Sequence, residues 1–245
     1  MDESRLLEKL KLFGLTRQEA LLYLCLYQNG ELTGYEVSKQ TGISRSNAYI
    51  GLADLVDQGA AFVAGGSANK YTAVPIDEFC DNYLRKLVNA KEYLIENIPA
   101  PADVGERYIT IQGARHISDK ILHMLRGAEK RIYLSAPFKT LDMLSEELIM
   151  LSDRKIKVVL IGESLPNKLS DKTDEGVIFY QQNGDGMKNK VDQIRLIIDS
   201  AYVLTGDIKG ENSDTCLYSD QKNFVNVFKE AMHNEIELIE LRRKI

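Results

Sequence analysis

The chain has 245 residues, 44% of them hydrophobic and 27% charged. Those are the proportions of a folded protein long enough for two domains, and they exclude disorder or collagen-like repeats for the chain as a whole. A net charge of −5 taken alone argues against a nucleic-acid partner. No apolar run approaches the ~20 residues that cross a bilayer, and Met1-Asp2-Glu3-Ser4 lacks a signal-peptide pattern. Three well-separated cysteines (Cys25, Cys80, Cys216) argue against a disulfide framework, so the expected setting is the reducing cytoplasm, with no membrane partner.

In chain order, the first clear signal is Thr16-Arg17-Gln18-Glu19, a capping box in which Thr16 and Glu19 satisfy N–H groups of a first helical turn. Leu21, Leu24 and Cys25 follow at helical spacing, and Asn29-Gly30 ends the helix. Thr33-Gly34-Tyr35-Glu36 is a second capping box, opening a short helix that carries Val37. Thr41-Gly42-Ile43-Ser44 reads as a tight turn, with Gly42 suited to positive φ and Ser44 placed to cap the next helix. That helix runs to about Gln58 with Ala48, Leu52, Leu55 and Val56 on one face. Ala61-Phe62-Val63, a small-residue turn (Ala64-Gly65-Gly66-Ser67-Ala68) and Lys70-Tyr71-Thr72-Ala73-Val74 then predict a two-stranded hairpin.

Helix, short helix, glycine turn, capped helix and hairpin are the order of a winged helix-turn-helix. The major groove of DNA admits one α-helix, and the turn holds the second helix of the motif proud of the domain while the first braces it. Winged helices also serve as protein-interaction modules, so the shape by itself leaves a protein-only scaffold open. Opposite Ala48, Leu52 and Leu55 the wheel places Ser46, Ile50, Ala53 and Asp57. Arg45 and Asn47 have base-edge chemistry, for guanine and adenine respectively. Ser44, Ser46, Tyr49 and the wing's Lys70 are placed for phosphates, which position without specifying. Tyr49 could equally pack against the wing. Residues 1–75 hold seven Lys/Arg and eight Asp/Glu, whereas Val37 to Ile50 holds Lys39 and Arg45 and no acid. A single such surface neutralises few phosphates, so double-stranded operator DNA would need two copies.

Residues 76–98 offer the means. Ile76, Cys80, Tyr83, Leu87, Ala90 and Leu94 alternate at spacings of four and three, a coiled-coil-like seam. Either this seam pairs across a two-fold axis to make a homodimer, or the helix lays its broad apolar face on its own domains. Ile98-Pro99-Ala100-Pro101-Ala102-Asp103-Val104-Gly105 then reads as a short linker. The expected division is 1–75 for DNA binding, 76–105 for connection and dimerisation, and 106–245 for a third part.

From Glu106 strands and helices alternate. Strands are predicted at Arg107–Ile111, Arg131–Ser135, Lys155–Ile161, Val177–Tyr180, Ile194–Ile198 and Tyr202–Leu204, the last two joined by a tight turn at Asp199-Ser200-Ala201. Helices are expected with Ile117, Ile121, Met124 and Leu125 on one core face, Leu141, Leu144, Leu148 and Leu151 on another, and Phe224, Val227, Phe228 and Ala231 on a last one. The expected class is therefore α+β / α/β: a winged helix-turn-helix, a connecting helix and an α/β sandwich with a partly parallel sheet.

Residues 5–98 resemble the N-terminal half of TrmB-type transcriptional regulators. The resemblance lies in Phe13-Gly14-Leu15-Thr16-Arg17-Gln18-Glu19-Ala20, Ile43-Ser44-Arg45-Ser46-Asn47-Ala48-Tyr49 and Leu55-Val56-Asp57-Gln58-Gly59. Residues 106–245 resemble the phospholipase-D-like module of several such regulators, through strand order and Ile132-Tyr133-Leu134-Ser135-Ala136-Pro137. The resemblance implies an operator-binding dimer whose C-terminal domain senses a small molecule. In archaeal members that molecule is often a sugar, but this chain is too short for the extra β-rich domain those sugar sensors use.

The alternative is a phosphodiester hydrolase or transferase with an accessory winged helix. Phospholipase-D chemistry uses a histidine nucleophile in His-x-Lys with Asp four residues on. Aligning that Asp with Asp199 puts Asp192 and Ile194 at the histidine and lysine positions, and His116, His123 and His233 stand in no such motif. Gly184-Asp185-Gly186 lacks the rest of a phosphate-loop fingerprint. No Cys/His cluster has metal-ligand spacing. Neither a catalytic residue, a metal nor a cofactor is expected. An effector pocket would lie beyond the carboxyl ends of the strands, where Ser135, Gly162, Glu163, Ser164, Arg195 and Asp199 are the polar residues.

Overall fold

Short-range capping decides where the N-terminal helices begin. In the computed structural model, which describes residues 2–66, 68–100, 108–173, 175–182 and 192–243, the chain folds as two units, Met1–Pro101 and Ala102–Ile245. The first unit runs α1 (Glu3–Leu12), α2 (Arg17–Asn29), β1 (Leu32–Thr33), α3 (Gly34–Thr41), α4 (Arg45–Gln58), β2 (Ala61–Ala64), β3 (Lys70–Ala73) and α5 (Ile76–Asn97). Both threonine boxes form: the Thr16 and Thr33 N–H groups each donate to the following glutamate's Oε2 at 2.8 Å, and each hydroxyl accepts in return. The Thr33 N–H and hydroxyl hold the Glu36 carboxyl below its usual range. Ser44 Oγ accepts from the Asn47 N–H at 3.4 Å and starts α4.

The three strands pair antiparallel in the order β1-β3-β2. Leu7, Leu10, Leu22, Tyr23, Leu26, Val37, Ala48, Leu52, Leu55, Tyr71 and Val74 close one core between helices and sheet. Phe79 of α5 is buried in it, and Tyr23 donates its hydroxyl to the Val74 carbonyl at 2.8 Å beneath. Two elements lie outside the sequence expectation, α1 and the two-residue β1. The buried face of α2 also differs: Leu22, Tyr23, Cys25 and Leu26 are buried, while Leu21 and Leu24 are only half-buried. This helix is contacted by α1, α3, α4 and β3, so its apolar surface is wider than one stripe.

The second unit runs β4 (Tyr108–Gln112), α6 (Ala114–Arg126), β5 (Arg131–Ser135), α7 (Phe138–Met143), α8 (Ser145–Asp153), β6 (Lys157–Gly162), β7 (Val177–Gln181), β8 (Gln193–Ile198), β9 (Tyr202–Asp207), β10 (Thr215–Ser219) and a last helix, α9 (Lys222–Arg243). Its seven strands follow the order β4-β10-β9-β8-β5-β6-β7. The run β5-β6-β7 is parallel and the other pairings are antiparallel. Alternation along the strands supplies two faces. Ile132, Leu134, Val158, Leu160, Ile194, Leu196 and Leu204 meet Ile117, Ile121, Leu125, Leu141, Leu144, Leu148 and Leu151 on one side. Ile161, Ile197 and Val203 meet Val225, Met232 and Ile239 of α9 on the other.

Of the expected last-helix face, Phe224 and Phe228 pack against the core, but Val227 and Ala231 do not. Val225, Met232, Glu235 and Ile239 are buried; Val227 and Ala231 are exposed, and Phe224 and Phe228 half-buried. A carboxylate inside the buried stripe hides that face from a count of apolar residues. Strand β10 is also new, because Thr215–Ser219 gives only five mixed residues between polar loops. The expected linker from 101 on, Arg107, Ser67 and Gly184-Asp185-Gly186 lie outside the described residues.

Candidate functional site

The first candidate surface is the α3–turn–α4 corner. Gly42 ends α3 at φ 72°, a left-handed conformation that costs glycine little, and the Ser38 hydroxyl donates to the Ile43 carbonyl at 2.7 Å across the turn. Ala48, Gly51, Leu52 and Leu55 anchor α4 on the core, so Arg45, Ser46, Asn47, Ile50 and Ala53 face out. Tyr49 is about half exposed. Its ring covers the start of α3, where a Cβ on Gly34 would lie 2.5 Å from it, so only glycine allows this close approach.

Arg45 is not splayed freely: its guanidinium sits 4.3 Å from the centre of the Tyr35 ring. A cation–π contact of this kind holds the side chain while leaving its donor edge open. Tyr35 is the residue of this surface that sequence reasoning missed. The one available signal was an aromatic in the first turn of the short helix. Lys39 is exposed and makes no ion pair among the described residues, whereas Lys70 on the wing pairs with Glu31 at 3.0 Å. Lys70 is thus partly neutralised before any phosphate arrives.

The connecting helix divides along its length. Phe79 is buried, and the Tyr83 ring packs against Phe13 at 5.7 Å and against Gly14. Cys80 is half-buried beside the same core, and burial together with Asp81 and Asp77 pushes its thiol up, away from thiolate chemistry. Cys80 and Tyr83 of the expected seam are therefore occupied within their own unit. Further along, Leu84, Leu87, Val88, Leu94 and Ile95 are each about half or more exposed and Ala90 is exposed, while Ile76 is 37% exposed at the start. These apolar side chains form a row on one helix rather than scattered single exposures.

The second candidate lies at the carboxyl ends of β5, β6 and β7. Arg195 of β8 reaches there because β8 runs antiparallel to β5, opposite Ser135. Its Nη2 donates to Ser135 Oγ at 3.0 Å and to Glu235 Oε2 of α9 at 2.6 Å. Gln182 Nε2 donates to Glu235 Oε1, also at 2.6 Å. The Arg195 and Glu235 side chains are 14% and 10% exposed. A cavity of about 520 Å³ opens over this cluster, walled by the second half of α9. A narrower crevice beside it is lined by Ser135, Ala136, Gly162 and Arg195.

Of the residues proposed from sequence, Ser135, Gly162 and Arg195 are thus brought together. Glu163 and Ser164 are exposed on the loop after β6 and line neither space. Asp199 is at the other end of the sheet, in the β8–β9 turn, where it and Ser200 adopt φ 51° and 57°. Its carboxylate accepts from the N–H groups of Glu129, Lys130 and Arg131, each at 2.8 Å. Burial pushes this carboxyl up, but the three donors and Lys130 outweigh it and hold it below the usual aspartate range. This is the residue that a phospholipase-D motif would have to use, and its oxygens are committed to backbone. Glu235 and Gln182 were not foreseen.

His116 and His123 are exposed, and His233 pairs with Glu237 on the surface of α9. No cluster of metal-ligating side chains occurs among the described residues. No helix of the described residues is long and apolar enough to cross a membrane.

A family model described as sugar-specific transcriptional regulator TrmB matches residues 10–77, and one described as transcriptional regulator TrmB, EBD N-terminal subdomain, matches residues 107–230. The chain is 25% identical over 247 residues to the uncharacterized protein YrhO of Bacillus subtilis (strain 168), covering 99% of this chain and 88% of that one. It is 27% identical over 181 residues to the HTH-type sugar sensing transcriptional regulator TrmBL1 of Pyrococcus furiosus, covering 71% of this chain and 52% of the relative. The chain therefore spans about half of that relative's length. A solved structure of TrmBL2, an archaeal chromatin protein whose DNA binding it describes, is 23% identical, with 97% of this chain and 99% of that one covered at a TM-score of 0.45.

Proposed function

The chain belongs to the TrmB family and is a DNA-binding transcriptional regulator, and on that premise we propose that it holds its operator as a homodimer and answers to a small molecule bound by its C-terminal unit. In this reading 1–75 binds DNA, 76–105 connects and dimerises, and 106–245 senses. The location is the cytoplasm, where the DNA is. The observation that carries the proposal is the outer face of α4. Arg45 and Asn47 are exposed in its first turns, Arg45 held over Tyr35, and no acidic residue lies between Val37 and Ile50. Arg45 would read a guanine and Asn47 an adenine. Ser44, Ser46, Tyr49, Lys39 and Lys70 would meet phosphates and set the register.

Each unit brings little positive charge, so affinity must come from two of them. The open row on α5, with Leu87, Ala90 and Leu94 of the seam and Leu84, Val88 and Ile95 beside them, is the surface that would join two copies. Half-sites would then lie about one DNA turn, ~34 Å, apart. A bound effector changes operator affinity only as far as it binds the DNA-competent dimer better or worse than the other state. Of the predicted contacts, Arg195 lines the cavity, and Ser135 and Gly162 line the crevice beside it.

Gel-shift selection from a random duplex library tests the proposal. The expected outcome is a motif with two half-sites about 10 base pairs apart. No enrichment even at low salt would overturn it.

A further inference from the structure

The cavity over Arg195 has a polar floor and a cationic rim, and together they say what it takes. Both oxygens of Glu235 are occupied, by Arg195 and by Gln182, each at 2.6 Å. An ion pair held this far from water gives back in attraction about what it loses in desolvation, so it is a poor way merely to close the end of a sheet. The same face is closed elsewhere by Ile161, Ile197 and Val203 against α9. Here the fold instead leaves a space of about 520 Å³, within the range of small-molecule sites.

The rim adds Arg242 and Arg243 from the last turn of α9, and Gln181 and Asn234 also line the space. Among the described residues the lining carries three guanidinium groups and one carboxylate, and that carboxylate is already paired. Arg242 makes no ion pair among the described residues. Its position at a helix carboxyl end gives it a partial negative charge to face, but only a fraction of a unit. The surplus is therefore positive. Forked guanidinium donors suit an oxyanion, and side-chain amides suit hydroxyl or carbonyl groups on the rest of a ligand.

We propose that this cavity is the effector site, and that it takes a small anionic metabolite whose phosphate or carboxylate is gripped by Arg242 and Arg243 above the Arg195–Glu235 floor. The proposal rests on the reading of the C-terminal unit as a sensor. It places the anion on a helix whose buried residues are in contact with the sheet, so that occupancy is coupled to the packing of α9 rather than to a surface loop.

The test uses the full chain with three probes of similar size: glucose 6-phosphate, citrate and uncharged glucose. Binding is read by calorimetry and by the shift in melting temperature. The expected result is that at least one anion binds and raises the melting temperature, that glucose does not, and that R242A/R243A weakens the anion about tenfold or more. Phosphate binding without citrate binding assigns the ligand to phosphate esters; the reverse assigns it to carboxylates. Failure of both anions, or an affinity that R242A/R243A leaves unchanged, overturns the proposal. The melting temperature of the ligand-free variant shows that it is folded. Operator affinity of the unsubstituted chain, measured with and without the bound anion, separates the two readings. An anion that binds in the cavity and leaves DNA affinity unchanged sinks the sensor reading and keeps the site. Operator affinity altered by glucose alone keeps the sensor reading and sinks the anionic site.

Discussion

In the N-terminal unit Arg45 lays its guanidinium over the Tyr35 ring with its donors open to water, whereas in the C-terminal unit Arg195 is enclosed between Ser135 and Glu235. Each lies at the centre of its candidate surface, and their surroundings suit different tasks. An exposed, stacked guanidinium is ready for a partner that brings its own anionic oxygens or base edges. A buried, paired one is already satisfied and can act only by being part of a shaped floor. The contrast fits the proposed roles: an open surface for a macromolecule that approaches from outside, and an enclosed one for a molecule small enough to enter.

That contrast can be broken most severely at α5. Charged side chains on the open row, as in L87D/L94D, should leave the winged helix folded, since both side chains are about half exposed. They should separate the two copies and lower operator affinity by ~10²–10⁴-fold through loss of the linked second contact. Sedimentation and gel shift on one preparation check this; a variant that stays dimeric shows that another surface joins the copies.

Next in size is the buried pair. E235A leaves Arg195 enclosed without its carboxylate and should cost the C-terminal unit about 3–5 kcal/mol of stability. Replacing both partners, as in R195L/E235L, should recover most of that loss, because the desolvated charges then go together. Urea unfolding followed by the C-terminal unit's own signal reads both. Equal damage by the single and the double variants would mean that packing, not charge, is what the pair supplies.

The Asp199 clamp is a smaller effect. D199A removes the acceptor of three N–H groups and should cost about 1–2 kcal/mol, the groups being near enough to the surface for water to replace part of it. The sign with pH is fixed by the lowered carboxyl. Its contribution is fully present above the ordinary aspartate value of about 3.9, and is lost as pH falls through the lower folded value. An acid titration of stability should therefore be flatter for D199A than for the unsubstituted chain, and an unchanged slope would contradict the clamp.

Much of the N-terminal unit could be read in the sequence because its decisions are local. Thr16 with Glu19, Thr33 with Glu36, and Ser44 with Asn47 each act across three residues, so a short window contains the whole device. The strand alternation of β5, β6 and β8 is legible for the same reason. The cavity is not local: Arg195 meets Ser135 across 60 residues and Glu235 across 40. Nothing near Glu235 in sequence marks it as buried, and Val227 and Ala231, expected on the inner face, turn outward. Asp199 was misplaced because a turn at the end of a strand says nothing about which end of the sheet it occupies; the antiparallel pairing of β8 with β5 decides that. Tyr35 escaped because its value lies in a neighbour ten residues on, across the turn at Gly42.

In the proposed reading, α4 reads base edges through its first turn. Repeating the duplex selection with R45A tests it most directly. The account predicts that the two half-sites persist with their spacing, while the base preference relaxes at one position in each and affinity for the original site falls by about 1–3 kcal/mol per half-site. An R45A motif identical at every position to that of the unsubstituted chain would contradict it.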